Sequence, residues 1–466
     1  MGSHRQLSLA LTVCAAATLL LSAPAPAGAT ASNPHAVVAL VDSGINPYHE
    51  VFRDRSPLAR RHPSTYLPGF PSDAQALRLT FDAPSYWAAV RADCKRVWSK
   101  IEPGRFYWFP GTKIVGGITF GEQSQIPCGT RRPSDSGRII DTHGHGTMVA
   151  SRAASTQYGA CRDCRVVAVQ HSGSFPYVDP SPAVARTIQA IRWIAKNSSW
   201  VDAQSISWAP LFPLWRPNGN GGSHSDLALA IEDASRRHLS FWAAGNSAGL
   251  GRPTLTFTHF TPSALIVGGH DSGYMNTWPG FSPHLVSDSC DSWAAYHRTL
   301  DKSGARVGGG TSGATPFAAG GAARILLEAR RLLGDSQTGA DKGVVAEGRK
   351  SRIKSGPLKD DKLTLREWRG VLLKTASERP ERHFEDGPVC DVDSLQSPTP
   401  VKWRDVPEAY PEYVQIGYGA VDRDSFKLAA HVLSGSERLP NRAETDQYFA
   451  ADGAAREAVY ETITGP

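Results

Sequence analysis

The stretch HAVVALVDSG, His35 to Gly44, is apolar without interruption from Ala36 to Val41 and then turns on Asp-Ser-Gly. A run with no polar alternation reads as a parallel strand buried on both faces, with Asp42 at its carboxyl end. Arg165–Gln170 (RVVAVQ), Ser205–Trp208 (SISW), Leu239–Asn246 (LSFWAAGN) and Ala264–Gly269 (ALIVGG) read the same way. Helical patterns fall between them: TMVASRAAS after His145, then Ser181–Asn197, Ser225–His238 and Pro316–Leu333. Strands alternating with amphipathic helices predict an α/β fold, a mostly parallel sheet with helices on both faces. Open sheets of this kind present their working groups at the carboxyl ends of the strands, where Asp42 falls.

The composition bounds the class. At 466 residues, with 20% charged and 41% hydrophobic residues, the chain has the balance of a globular protein with a large core. A net charge of +6 over this length is no nucleic-acid signature. Residues 1–31 read as a signal peptide. Arg5 precedes an apolar run from Leu9 to Leu21, and small residues around Ala27-Gly28-Ala29 or Ala29-Thr30-Ala31 suit cleavage. That run is too short for a bilayer span and no later stretch is long enough, so the expectation is a secreted, extracellular protein with no membrane anchor. Beyond Cys14 six cysteines remain, at 94, 128, 161, 164, 290 and 390. An even number in an exported chain favours disulfides, with fifteen pairings open. Cys161-Arg-Asp-Cys164 also fits half of a metal site or a redox pair, although no second CxxC accompanies it.

Three short motifs carry chemistry. LVDSG supplies Asp42; DTHGHGTMVAS places His145 at a helix start between Gly144 and Gly146; GGGTSGATPFAAG, Gly308 to Gly320, places Ser312 before another helix. Alone, a serine before an apolar helical run is an N-cap. With a histidine and an aspartate available it becomes a nucleophile, because imidazole takes the hydroxyl proton and a buried carboxylate fixes the imidazole tautomer. The flanking glycines are expected to let a substrate backbone approach, and Pro316 is expected in the first turn of its helix, where a missing N–H is harmless. Asp141 reads as a loop or cap carboxylate, and His143 as a surface residue.

D-S-G, then G-H-G-T-x-V-A, then G-T-S-x-A-x-P, in that order, resembles the subtilisin-like serine peptidases. The resemblance implies an endopeptidase acting on protein or peptide substrates, with Asp42, His145 and Ser312 as its triad. WAAGN is similar to the family segment that completes the oxyanion hole, which assigns that role to Asn246 beside the Ser312 N–H. It also implies substrate-binding walls at Ser207, Trp208 and Ala209 and at Ala243, Ala244 and Gly245. No cofactor is required; calcium sites are common in the family, but no ligand set maps here and no metal residue is assigned. Oligomeric state is left open.

The pattern also departs from the family. Its usual Ser-Leu-Gly is Ser207-Trp208-Ala209-Pro210 here, Gly313 stands where Met is common after the nucleophile, and the Ala-Pro-Gly turn is missing. A cut before Ser32 leaves ten residues to Asp42, few for a folded propeptide, whereas Asp42 and His145 lie 103 residues apart. The expected organisation is a catalytic domain over 32–435 with insertions at about 50–135 and 335–362, and a C-terminal tail over 436–466. The first insertion is expected to pack beside the cleft and shape it. Two other readings stay open: a catalytically inactive binding or scaffold protein on the same fold, and an esterase or ligase-like acyl transferase.

Overall fold

The computed structural model describes residues 35–121, 138–171, 180–208, 222–245, 261–269, 283–287, 292–301, 304–307, 310–335, 341–346, 349–378 and 417–464. β1 (Val37–Asp42) is buried along its whole length. Its side chains alternate between two cores, as a pleated strand requires. Val38 and Leu40 pack on one face with α2 (His145–Ala154) and α5 (Gly310–Leu333). Val37, Ala39 and Val41 pack on the other with α3 (Pro180–Lys196) and α4 (Gly222–Ser235).

β1 pairs in parallel with β5 (Arg165–Gln170) on one side and β6 (Ala203–Ile206) on the other. β7 (Leu239–Ala243), β8 (Leu265–Gly269) and β9 (Leu285–Ser287) continue in parallel beyond β6. The strand order therefore reverses at β1, which puts Asp42 at the position where open α/β sheets bind ligands. The expected mostly parallel sheet, covered on both faces, is what the chain forms.

The segment after β1 extends this sheet. β4 (Ile114–Thr119) pairs in parallel with β5, and β3 (Tyr107–Trp108) and β2 (Gln75–Ala76) follow at the edge. α1 (Tyr86–Asp93) belongs to the same segment and is fixed by a buried network. The Tyr48 hydroxyl donates to Asp93 (2.8 Å), the Trp98 indole N–H donates to Tyr48 (2.9 Å), and Thr80 donates to Asp93 through both N–H and hydroxyl (2.8 and 2.7 Å). Tyr86 donates to the Asp141 carbonyl (3.3 Å), so α1 touches the loop that leads into the His145 helix.

β10 (Ser292–Ala295) and β11 (Gly304–Val307) form a hairpin, as do β12 (Asp341–Val344) and β13 (Lys362–Thr364). α6 (Leu365–Lys374) follows with a full capping box, then α7 (Arg423–Ser434) and α8 (Ala443–Thr464). Cys161 and Cys164 form a disulfide in the loop between α2 and β5, and Cys94 is disulfide-bonded as well.

Candidate active site

Asp42 ends β1 and is 3% exposed. The His145 Nδ1 atom, at the first residue of α2, lies 2.9 Å from both Asp42 carboxylate oxygens. The Ser43 N–H donates to Asp42 Oδ1 (2.7 Å). Burial acts to raise the Asp42 pKa, but the His145 charge and the hydrogen bonds from His145 and Ser43 hold it below the ordinary carboxylate value. Burial acts to lower the His145 pKa, but the Asp42 charge and hydrogen bond, aided by Asp141, raise it above the ordinary imidazole value. The pair is therefore a fixed carboxylate holding an imidazole whose protonated form it stabilises.

Asp141 holds His145 in place. It is fully buried, and its Oδ1 accepts from the Ser43 hydroxyl (3.0 Å) and from the N–H groups of His143 (3.0 Å) and Gly144 (2.7 Å). Its Oδ2 accepts from the Thr147 N–H (2.7 Å) and hydroxyl (2.6 Å). The five donors fill the carboxylate's acceptor sites, three of them sharing Oδ1, and the charge also suits the positive end of the helix. The Ser43 hydroxyl in turn accepts from the Gly146 N–H (3.0 Å), and Gln170 donates to the Ser43 carbonyl (2.8 Å). Strand end and helix start are thus stitched through one serine and one aspartate.

The glycines beside His145 are required by this packing. A Cβ on Gly146 would lie 2.1 Å from the Gly44 carbonyl oxygen, and one on Gly144 would lie 2.4 Å from the His297 ring. Gly44 itself, at φ +120°, would meet the Ile139 carbonyl.

Ser312 is the third residue of α5, so its N–H is among the four that a helix start leaves without an intrahelical partner. Pro316 lies in the second turn, not the first as expected, because the helix begins at Gly310. Lacking an N–H, Pro316 cannot bond back to the Ser312 carbonyl. The Ser207 hydroxyl, just past β6, donates to that carbonyl instead (3.0 Å), while the Ser312 hydroxyl donates to the Ser207 carbonyl (3.2 Å). One residue earlier, the Thr311 hydroxyl accepts from the Gly245 N–H (3.2 Å). The first turn of α5 is thereby pinned to the carboxyl ends of β6 and β7. Gly245 has φ +99°, a conformation that favours glycine.

Of the other expected site residues, Ala243 and Ala244 are buried and Gly245 is partly exposed. Trp208 is partly buried, its ring 5.4 Å from that of His171. His171 follows β5, meets Thr187 through Nδ1 (3.0 Å), and is pushed down to about 4, by burial first and by the charges of Arg186 and His145 after it, against Asp42. Ala209 and Asn246 lie outside the described residues. Among the described residues no group of three His, Cys, Asp or Glu side chains converges to hold a metal ion, and no helix is long and apolar enough to cross a membrane. Thr311, Ser43, Gln170 and His171 escaped the sequence reading. Ser43 and Thr311 sat in plain view inside D-S-G and G-T-S, but a motif does not say which of its residues positions the others.

This geometry agrees with the sequence pattern of the subtilase family, which matches residues 34–383. The chain belongs to that family and is a serine protease of the subtilase kind, for which polypeptides are the substrates. Similar solved structures include the epidermin leader peptide processing serine protease (EpiP) from Staphylococcus aureus, 13% identical over 86% of this chain and 77% of that one, with a TM-score of 0.45. The self-cleaved protease domain of PatA is 16% identical over 86% of this chain and 98% of that one (TM-score 0.42). A cold-adapted subtilisin-like serine proteinase is 19% identical over 64% and 77% (TM-score 0.33). No curated relative matches the sequence.

Proposed function

We propose that the chain is an exported endopeptidase whose triad is Asp42, His145 and Ser312. The observation that carries this is the His145 imidazole held by both oxygens of a buried carboxylate; Ser312, in the first turn of α5, joins the pair on the strength of its G-T-S motif. Ser312 Oγ attacks the scissile carbonyl carbon while His145 Nε2 takes its proton. The tetrahedral adduct collapses to an acyl-enzyme as His145 passes that proton to the leaving amine, and water then releases the acid by the same route. A hydroxyl has one proton, so donation to the Ser207 carbonyl and donation to His145 are alternatives. Catalysis begins when the hydroxyl swings from the first to the second. The Ser312 N–H and the Asn246 side chain are the proposed oxyanion donors, each worth about 2.7–4 kcal/mol of barrier in enzymes of this type. Ser207, Trp208, Ala209 and Ala243–Gly245 are the proposed substrate walls, with Trp208 narrowing the one it lines. The signal peptide, the domain limits 32–435, the cleft-shaping role of the first insertion and a secreted location belong to the same proposal.

An internally quenched peptide library incubated with the mature protein tests it. Cleavage at internal bonds that vanishes in Ser312→Ala is expected. A folded wild type that leaves the library intact, or cleaves only p-nitrophenyl esters, overturns the endopeptidase assignment.

A further inference from the structure

The loop carrying the Cys161–Cys164 disulfide, the far end of α2, the middle of α5 and the exposed flank of α7 enclose a cavity of about 780 Å³. That is within the range of small-molecule sites. Its charge is one-sided: six cations line it (Arg152, Arg162, Arg324, Arg331, Arg423 and Lys427) against two acids, Asp163 and Glu328. Both acids already face Arg331, at 2.8 and 3.8 Å. Arg324 and Arg423 have no carboxylate partner among the described residues.

The apolar part of the wall is built around the same cations. The Arg152 guanidinium lies 4.7 Å over the Phe317 ring, and the Arg324 guanidinium 4.7 Å over Phe426. The two rings are 6.4 Å apart and inclined by 31°, which makes a four-member array of Arg, Phe, Phe and Arg. Gly321 gives Phe426 its place, since a Cβ there would lie 2.7 Å from that ring. A guanidinium stacked by its face keeps its N–H edge for a planar or tetrahedral oxyanion, and stacking removes part of the ordering entropy that binding otherwise costs.

We propose that this cavity binds a small organic anion. Its carboxylate or phosphate faces Arg324 and Arg423, and its flat apolar body rests on the Phe317–Phe426 wall. At 1.5 Å of rise per residue, Arg152 is about 10 Å along α2 from His145 and Arg324 about 18 Å along α5 from Ser312. The ligand therefore sits away from the reacting groups and braces the two helices that carry them.

Calorimetric titration of the whole protein with phenyl phosphate, benzoate, inorganic phosphate and benzylamine tests this without any turnover, so its failure leaves the Ser312 assignment untouched. Saturable one-to-one binding of phenyl phosphate or benzoate is expected, with the tighter of the two assigning the head group. Benzylamine is expected not to bind, and inorganic phosphate to bind about tenfold more weakly than phenyl phosphate. Arg324→Gln with Arg423→Gln, both exposed, is expected to weaken binding at least about tenfold without moving the ligand-free melting midpoint. Arg423→Gln alone serves if the double variant does not fold. The proposal is overturned if neither aromatic anion binds, if binding survives the arginine substitutions unchanged, or if inorganic phosphate or benzylamine binds as tightly as phenyl phosphate.

Discussion

Pro316 and Ser207 form a coupled pair whose energetics can be worked from the structure. Pro316 leaves the Ser312 carbonyl without its helical N–H donor, and the Ser207 hydroxyl fills the vacancy at 3.0 Å. In Ser207→Ala that partly buried carbonyl loses its partner, which destabilises the fold by about 1–3 kcal/mol. It also frees the helix turn carrying Ser312, so kcat is expected to fall with KM little changed. Pro316→Ala restores the backbone N–H that bonds to the same carbonyl. In that background the hydroxyl is redundant, and Ser207→Ala should cost under about 0.5 kcal/mol, because the carbonyl keeps a donor. The coupling energy of the cycle is then about 0.5–3 kcal/mol. Urea unfolding of the four proteins reads it, provided the denaturant slope is common to all four. Equal costs of Ser207→Ala with proline and with alanine at 316 would refute the reasoning, since the two residues would then not share one carbonyl.

Asp141→Asn replaces two acceptor oxygens by one, so at least one of its buried donors, such as the Thr147 N–H, loses its partner; a destabilisation of about 3 kcal/mol is expected by urea denaturation, with peptidase activity falling because the start of α2 loosens. Asp42→Asn keeps the shape but removes the charge that orients His145, and kcat is expected to drop on the order of 10³–10⁴-fold in steady-state peptide cleavage, with unchanged secondary structure by circular dichroism. The rate follows neutral His145, whose fraction grows as pH rises through its pKa. Because that pKa is raised above 6.5, the acid limb of kcat/KM should have its midpoint above 6.5. A limb centred at or below that value contradicts the Asp42 contact as its cause.

The parallel sheet was legible because β1, β5 and β7 are runs rich in Val, Ala, Leu, Phe and Trp with no regular polar alternation. The places of Asp42 and His145 were legible because a buried apolar run ends at the one and a helical pattern starts at the other, and their side chains meet there. What escaped the sequence is held by contacts between distant segments. The start of α5 is Gly310, Thr311, Ser312 and Gly313, which local propensity reads as loop; bonds involving Ser207 and Gly245 hold it as helix. β4 was legible as a possible short strand over Lys113–Phe120; the need for Gly116 and Gly117 within it was not, since a Cβ at either would collide with Phe106 or with Ile139. Asp141 was legible as a loop or cap carboxylate, and it accepts from the N–H groups 2, 3 and 6 positions on; its bond from the distant Ser43 hydroxyl was not. α8 showed no apolar stripe: its fully buried side chains are the Asp452–Arg456 ion pair, and Phe449, Tyr460 and Ile463 pack against the cores only in part.

The most direct test of the central claim is reaction of the native protein with a fluorophosphonate, followed by peptide mass mapping. An activated serine predicts one adduct per chain, on the peptide containing Ser312, absent in Ser312→Ala and formed far more slowly in His145→Ala. A folded protein that takes up no label, or carries it on another residue, contradicts the assignment of Ser312 as nucleophile.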